Sequence, residues 1–256
     1  MVIGTRIRSL VGALLIGLFL PRAAFSQDDR WKMKTHLGQQ ALQAGHYVQA
    51  ESLFSDALQE AEQLAGPDTR LAVSLNNLAA VYQAQGRHGG AEPLYRRSLE
   101  VWTQALGPDH QDSLGTLNNL GVVCRELGNY AEAEAIYRRA LQVGEKTLGP
   151  QHPNVARILH NLAFLYKAQN KLAEAEQLYL RSLEIWRSSL GPEDPQVAVS
   201  LNNLADLARV RKRYEESESL VRRALSICER VLGPEHPRTA AALNSLGQTY
   251  TAQDKL

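Results

Sequence analysis

Cysteine, methionine and phenylalanine are scarce in this chain of 256 residues, which holds 2, 2 and 4 of them. Cys124 and Cys228 lie 104 residues apart, too few and too distant for a disulfide framework or a paired-cysteine metal site. An excess of either charge is also lacking, because 28 Lys and Arg stand against 27 Asp and Glu. That balance argues against general nucleic-acid binding, which draws on a basic excess to displace phosphate counterions. The longest uncharged apolar run, Leu10 to Leu20, is well short of the roughly 20 residues that cross a bilayer. No nucleophile elbow, phosphate loop, His-Glu-x-x-His or clustered metal-ligand signature occurs. The sequence therefore offers no catalytic residue, cofactor site or metal site, and a small-molecule substrate is not expected. At 44% apolar residues with 18 Gly and 10 Pro, neither disorder nor a collagen-like chain fits.

Residues 1–26 carry the pattern of a cleaved secretory signal. Arg6 and Arg8 precede the apolar run, and Ala24-Phe25-Ser26 places small residues at the two positions an export peptidase prefers. Cleavage near Ser26 predicts a periplasmic or extracellular protein with 25 basic and 27 acidic residues. Retained, the same segment would be a membrane anchor.

What the chain does have is a repeat. Leu117-Asn118-Asn119-Leu120-Gly121 recurs as Leu75 to Ala79, Leu159 to Ala163, Leu201 to Ala205 and Leu243 to Gly247, at intervals of 42 residues. A degenerate copy, Leu37-Gly38, lies 41 residues before Leu78-Ala79. A fixed period of this length signals stacked supersecondary units, each burying its apolar face against the next.

One unit illustrates the physics. Leu117, Leu120, Gly121 and Cys124 form one stripe of a helix. Cys124 stands where Tyr82 and Tyr166 stand in neighbouring copies, as a small buried apolar residue. Gly128-Asn129 ends that helix, and a second runs from about Ala131 to Leu148. The slot after each first helix holds Gly45, Gly86, Gly128, Asn170, Lys212 and Asp254, so the later turns are expected to be more strained or differently closed. Second helices pair a small residue (Ala50, Ala91, Ala133, Ala175, Ser217) with a large one (Phe54, Tyr95, Tyr137, Tyr179, Val221). These face Gly38, Ala79, Gly121, Ala163, Ala205 and Gly247, the complement that close-packed helices need. Gly-Pro follows each second helix, from Gly66-Pro67 to Gly233-Pro234. Asp68, Asp109, Asp112 and Asp194 suit the helix starts that follow.

In these motifs the chain resembles tetratricopeptide repeats, of the 42-residue kind found in kinesin light chains and many bacterial proteins. The resemblance covers residues 32–256, with repeats near 32–66, 67–107, 108–149, 150–191 and 192–233 and a partial one at 234–256. It implies an all-α, right-handed α-solenoid of five helical hairpins plus a final single helix, spanning 27–256. It also implies a non-catalytic scaffold that holds partner peptides on its concave side. The coiled coil of kinesin light chains has no counterpart here, since no sustained heptad region occurs, and the bacterial scaffold members are the closer analogy.

The resemblance places the groove on the first-helix face opposite the core stripe, which around Leu162 carries Arg157, His160, Asn161, Phe164 and Lys167. The period extends it to a row of amides, Asn77, Asn119, Asn161 and Asn203. In related repeats such amides hold an extended peptide backbone, as their paired donor and acceptor permit. The competing reading is that they tie neighbouring helices together. A second row, Arg125, Lys167 and Arg209 with Arg157 nearby, points to an acidic segment or a free carboxyl terminus. Glu126 and Asp206 oppose it. On the outer side Glu92–Arg96, Glu134–Arg138 and Glu218–Arg222 are spaced as helical ion pairs, continued by Arg97, Arg139, Arg181 and Arg223. His110, His152 and His236 recur singly in the loops and are expected to cap helices rather than bind metal. Two further readings are a self-assembling structural solenoid and the regulatory repeat region of a larger enzyme.

Overall fold

The computed structural model describes residues 26–64 and 66–254; the signal assigned to residues 1–26 lies, all but Ser26, outside them. Eleven α-helices are present among the described residues: α1 (Gln27–Gln43), α2 (Tyr47–Glu62), α3 (Thr69–Ala84), α4 (His88–Leu106), α5 (Leu114–Glu126), α6 (Tyr130–Leu148), α7 (Pro153–Ala168), α8 (Leu172–Leu190), α9 (Pro195–Val210), α10 (Tyr214–Leu232) and α11 (Pro237–Ala252). A 3₁₀ turn, Gln111–Ser113, leads into α5. The first ten pair into five hairpins, and α11 follows alone.

The hairpins stack into a solenoid whose curvature follows from which helices meet. The odd-numbered helices α1, α3 and α5 touch in succession, as do α5 with α7 and α9 with α11. The backbones of successive even-numbered helices come no comparably close to one another among the described residues. The closer layer lies on the inside of the curve, so the odd helices line the concave face.

Packing within each hairpin is set by the small-beside-large pairing. Tyr95, Tyr137, Tyr179 and Phe54 are fully buried, and Ala79, Gly121, Ala163 and Gly38 are buried with them. A Cβ placed on Gly121 would lie 2.6 Å from the Tyr137 ring, and one on Gly38 would lie 2.7 Å from Phe54. Both approaches are closer than a methyl group permits. Buried hydroxyls tie the same layers: Ser98 Oγ donates to the Ala72 carbonyl and Ser182 Oγ to that of Ala156, each at 2.8 Å.

The turns after the first helices close alike throughout, contrary to the expectation that the later ones would close differently. Gly45, Gly86 and Gly128 take φ of 76°, 73° and 81°, and Asn170, Lys212 and Asp254 take 60°, 60° and 54°. The closing bonds match as well, with Asn129, Lys171 and Arg213 N–H donating to the carbonyls of Cys124, Tyr166 and Ala208 at 2.8 to 2.9 Å. The strain that was expected is real at Lys212, a side chain held in the left-handed region at a cost of about 1–2 kcal/mol.

Helix starts follow the sequence reading. The imidazoles of His110, His152 and His236 accept from the backbone N–H two residues on, as do the carboxylates of Asp68 and Asp194. Asp112 lies in the first turn of the 3₁₀ segment, whereas Asp109 pairs with Lys146 at 3.0 Å. The first helix starts at Gln27, ahead of the expected residue 32, because Ser26 and Asp29 form a reciprocal capping box. Cys124 and Cys228 are both free and buried. Burial pushes the Cys124 thiol up to about 11, with Glu132 and Glu92 adding to the effect.

Candidate functional site

The inner face is built on α3, α5, α7 and α9. Of the four amides, two tie neighbouring helices. Asn161 Nδ2 donates to Asn118 Oδ1 at 2.7 Å, linking α7 to α5. Asn203 Nδ2 lies 3.1 Å from His160 Nε2, linking α9 to α7. Asn119 Oδ1 accepts a longer bond, 3.4 Å, from its neighbour Asn118. Asn77 Nδ2 is buried with no hydrogen-bond partner among the described residues. The helix-tie reading thus accounts for Asn161 and Asn203, while the buried Asn77 amide nitrogen neither ties helices nor reaches the groove.

His160 replaces the Asn found at the same place in α3, α5 and α9. Burial, reinforced by the Arg125 charge, drops its pKa to about 4. The ring also meets Tyr179 edge-on, with centroids 5.3 Å apart. A neutral imidazole can accept at Nε2 from Asn203. The linkage has a definite sign: the unfolded chain takes up this proton near pH 6.5 and the folded chain only near 4. Stability from His160 is therefore present above pH 6.5 and lost as pH falls toward 4, by about 2–3 kcal/mol. His160→Asn, the residue of the other repeats, is expected to abolish that part of the acid sensitivity. Melting temperatures of both proteins between pH 7 and 4 check this.

The cationic row is not a line of unopposed charges. Lys167 Nζ and Arg209 Nη2 both pair with Asp206, one from each side. Burial works against ionising Asp206, but its bonds from Lys167 and Arg209 prevail and hold the carboxyl below its ordinary range. Arg125 pairs with Glu126 at 2.5 Å, and its guanidinium also lies over the Phe164 ring at 4.3 Å. Lys167 Nζ reaches the same ring at 5.9 Å. Phe164 is 40% exposed on an otherwise polar face. Its place on that face was legible in the helical spacing; its embrace by cations from α5 and α7 was not.

Arg157 differs from the row. It has no ion-pair or hydrogen-bond partner among the described residues. Solvent reaches its side chain, yet protein surrounds it closely enough that desolvation lowers its pKa, as suits a side chain inside a groove. Four cations and two carboxylates leave this face with a positive excess.

The outer face is tied internally. Arg96–Glu92, Arg138–Glu134 and Arg222–Glu218 form at 2.7, 2.9 and 3.0 Å. Tyr166 and Tyr250 hydroxyls donate to Glu134 and Glu218 and bind the next hairpin to these pairs. Arg97 and Arg181 reach back to Glu62 and Glu145 on the preceding second helices, and Arg139 donates to the Pro108 carbonyl. Glu92, Cys124 and Glu132 converge closely enough to suggest a metal site. Both carboxylates, however, already share Arg96, each at 2.7 Å.

Comparison with known proteins adds the following. The sequence profile of the tetratricopeptide repeat matches residues 32–89, 70–125, 112–188, 160–209 and 196–256. Among solved structures the chain is similar to BtubC (BKLC) from P. vanneervenii, with TM-score 0.65 and 22% identity over 90% of this chain and 85% of that one. A Podospora anserina putative kinesin light chain with nearly identical repeats matches at TM-score 0.63 and 26% identity, over 75% of this chain and 90% of the other. Pseudomonas aeruginosa pilF matches at TM-score 0.58 and 21% identity, over 88% and 94%. No curated protein matches significantly.

Proposed function

Because the chain belongs to the tetratricopeptide repeat family, we propose that it is a non-catalytic scaffold, acting outside the cytoplasm, that holds an extended acidic segment of a protein partner against its odd-numbered helices. The observation that carries this reading is the pair formed by Arg157 and Phe164. One is a solvent-accessible cation without an internal partner, the other an exposed aromatic flanked by Arg125 and Lys167. Such a surface attracts carboxylates and offers apolar area to the carbon atoms between them.

Selection of a random peptide display library on the full chain tests the reading. Enriched sequences are expected to concentrate Asp and Glu within a few residues, and their retention should fall as salt rises. Enrichment of basic or charge-neutral sequences contradicts it.

Self-association is a second reading, favoured by one observation. Leu243 is 49% exposed, whereas its counterparts Leu75, Leu117, Leu159 and Leu201 are buried. Gly247 has nothing within 4 Å of a built Cβ, whereas Gly121 meets Tyr137. Sedimentation over a range of concentrations separates the two, since a monomer at all concentrations removes the second.

A further inference from the structure

In each of the five hairpins the first helix is covered by its own second helix, and among the described residues α11 has no such cover. The repeat defines the face concerned. Ala240, Leu243, Gly247 and Tyr250 stand where α5 has Leu114, Leu117, Gly121 and Cys124. In α5 a Cβ on Gly121 would lie 2.6 Å from the Tyr137 ring of α6, whereas one on Gly247 meets nothing within 4 Å. Leu117 is 1% exposed and Leu243 is 49% exposed. On another side α11 is anchored to α10 and α9 through the buried Thr239, Ala242 and Thr249, the last with its hydroxyl 2.9 Å from that of Ser217. At 100° per residue the anchored and uncovered faces lie roughly 110° apart around the helix.

The uncovered face carries no charged side chain, and its pattern complements itself. Turned end for end about Ser245, a second α11 sets Leu243 against Gly247 and Ala240 against Tyr250, in both directions. Every contact then seats a large residue on a small one, as Tyr137 is seated on Gly121 within the third hairpin. The same register brings His236, at the start of the helix, to Asp254, just past its end. His236 Nδ1 accepts from the Arg238 N–H at 3.1 Å. A neutral ring therefore carries its hydrogen on Nε2 and presents a donor to that carboxylate. Because each chain's body lies on the anchored side, the two bodies diverge from such a pair and do not collide.

Resting on the self-association reading, we propose that this face is a two-fold interface. The α11 of a second copy of this chain packs antiparallel on it, centred on Ser245, in the place that a second helix takes in the hairpins. A single helix pair buries less than the roughly 1,200 Å² of a standard interface, so the dimer is weak and forms at high protein concentration. Arg157 and Phe164, on α7, lie outside the interface, and the dimer presents two inner faces.

Sedimentation of the full chain across a range of concentrations reads association, and Gly247→Glu probes the face. The space at Gly247 is open in the single chain, and Glu is the better helix former. The melting temperature of the dilute protein should therefore not fall, while the mass should stay that of a monomer at every concentration. Leu243→Ala should weaken association by on the order of tenfold. Register is read by trapping. Leu243→Cys and Gly247→Cys proteins, mildly oxidised together, should give a covalent dimer of one with the other, and far less when each is oxidised alone. The native Cys124 and Cys228 are buried and do not compete. A parent chain that stays monomeric overturns the interface and the self-association reading together. Association undiminished in the Gly247→Glu protein, or trapping no better in the mixture than in either protein alone, overturns this interface and leaves self-association standing.

Discussion

Arg157→Glu is expected to weaken binding of an acidic peptide by at least about tenfold, with the helical signal and melting temperature unchanged. Arg157 is accessible to solvent and free of internal partners among the described residues. Its replacement therefore breaks no ion pair within the fold, and the whole effect falls on the ligand. Reversal at Lys167 or Arg209 is a poorer test, because it would place a second carboxylate beside Asp206, which both cations hold. Titration of one acidic peptide at low and at high salt checks the prediction, and the difference between variant and parent should shrink with screening.

Tyr137→Ala has the largest expected effect on stability, a loss of about 3–5 kcal/mol. Its ring is fully buried and seated against Gly121 so closely that no Cβ would fit between them. The backbone at Gly121 cannot move in without dragging α5 away from α3 and α7, so the cavity stays open. In a linear stack each hairpin is supported by its neighbours. Loss at the third of five should therefore split the unfolding transition rather than merely shift it. Denaturant unfolding followed by circular dichroism reads both features, and a single transition with an unchanged midpoint would count against the packing account.

The sequence made the hairpins legible because each is specified several times over. The LNNLA core, the small-beside-large pair and the Gly-Pro stops all recur with one period, and so did the caps at His110, His152 and His236. The inner face was legible only as a set of positions. Helical spacing puts Arg125, Lys167 and Arg209 on one wall, but it says nothing of whether Asp206 folds between two of them. Likewise it places Asn161 and Asn203 facing the groove without showing that their amides reach sideways to Asn118 and His160. These choices are made by side-chain rotamers across repeats, at separations of about 40 residues, where no local pattern constrains them.

The central claim is that the groove reads negative charge with its inner cations, and Asp206→Asn tests it most directly. That change removes the carboxylate that occupies Lys167 and Arg209, leaving a neutral side chain of the same shape with one acceptor oxygen. Calorimetric titration of one acidic peptide into parent and variant should show the variant binding severalfold more tightly, with the gain lost at high salt. Equal or weaker binding by the variant would contradict the account and locate recognition away from this face.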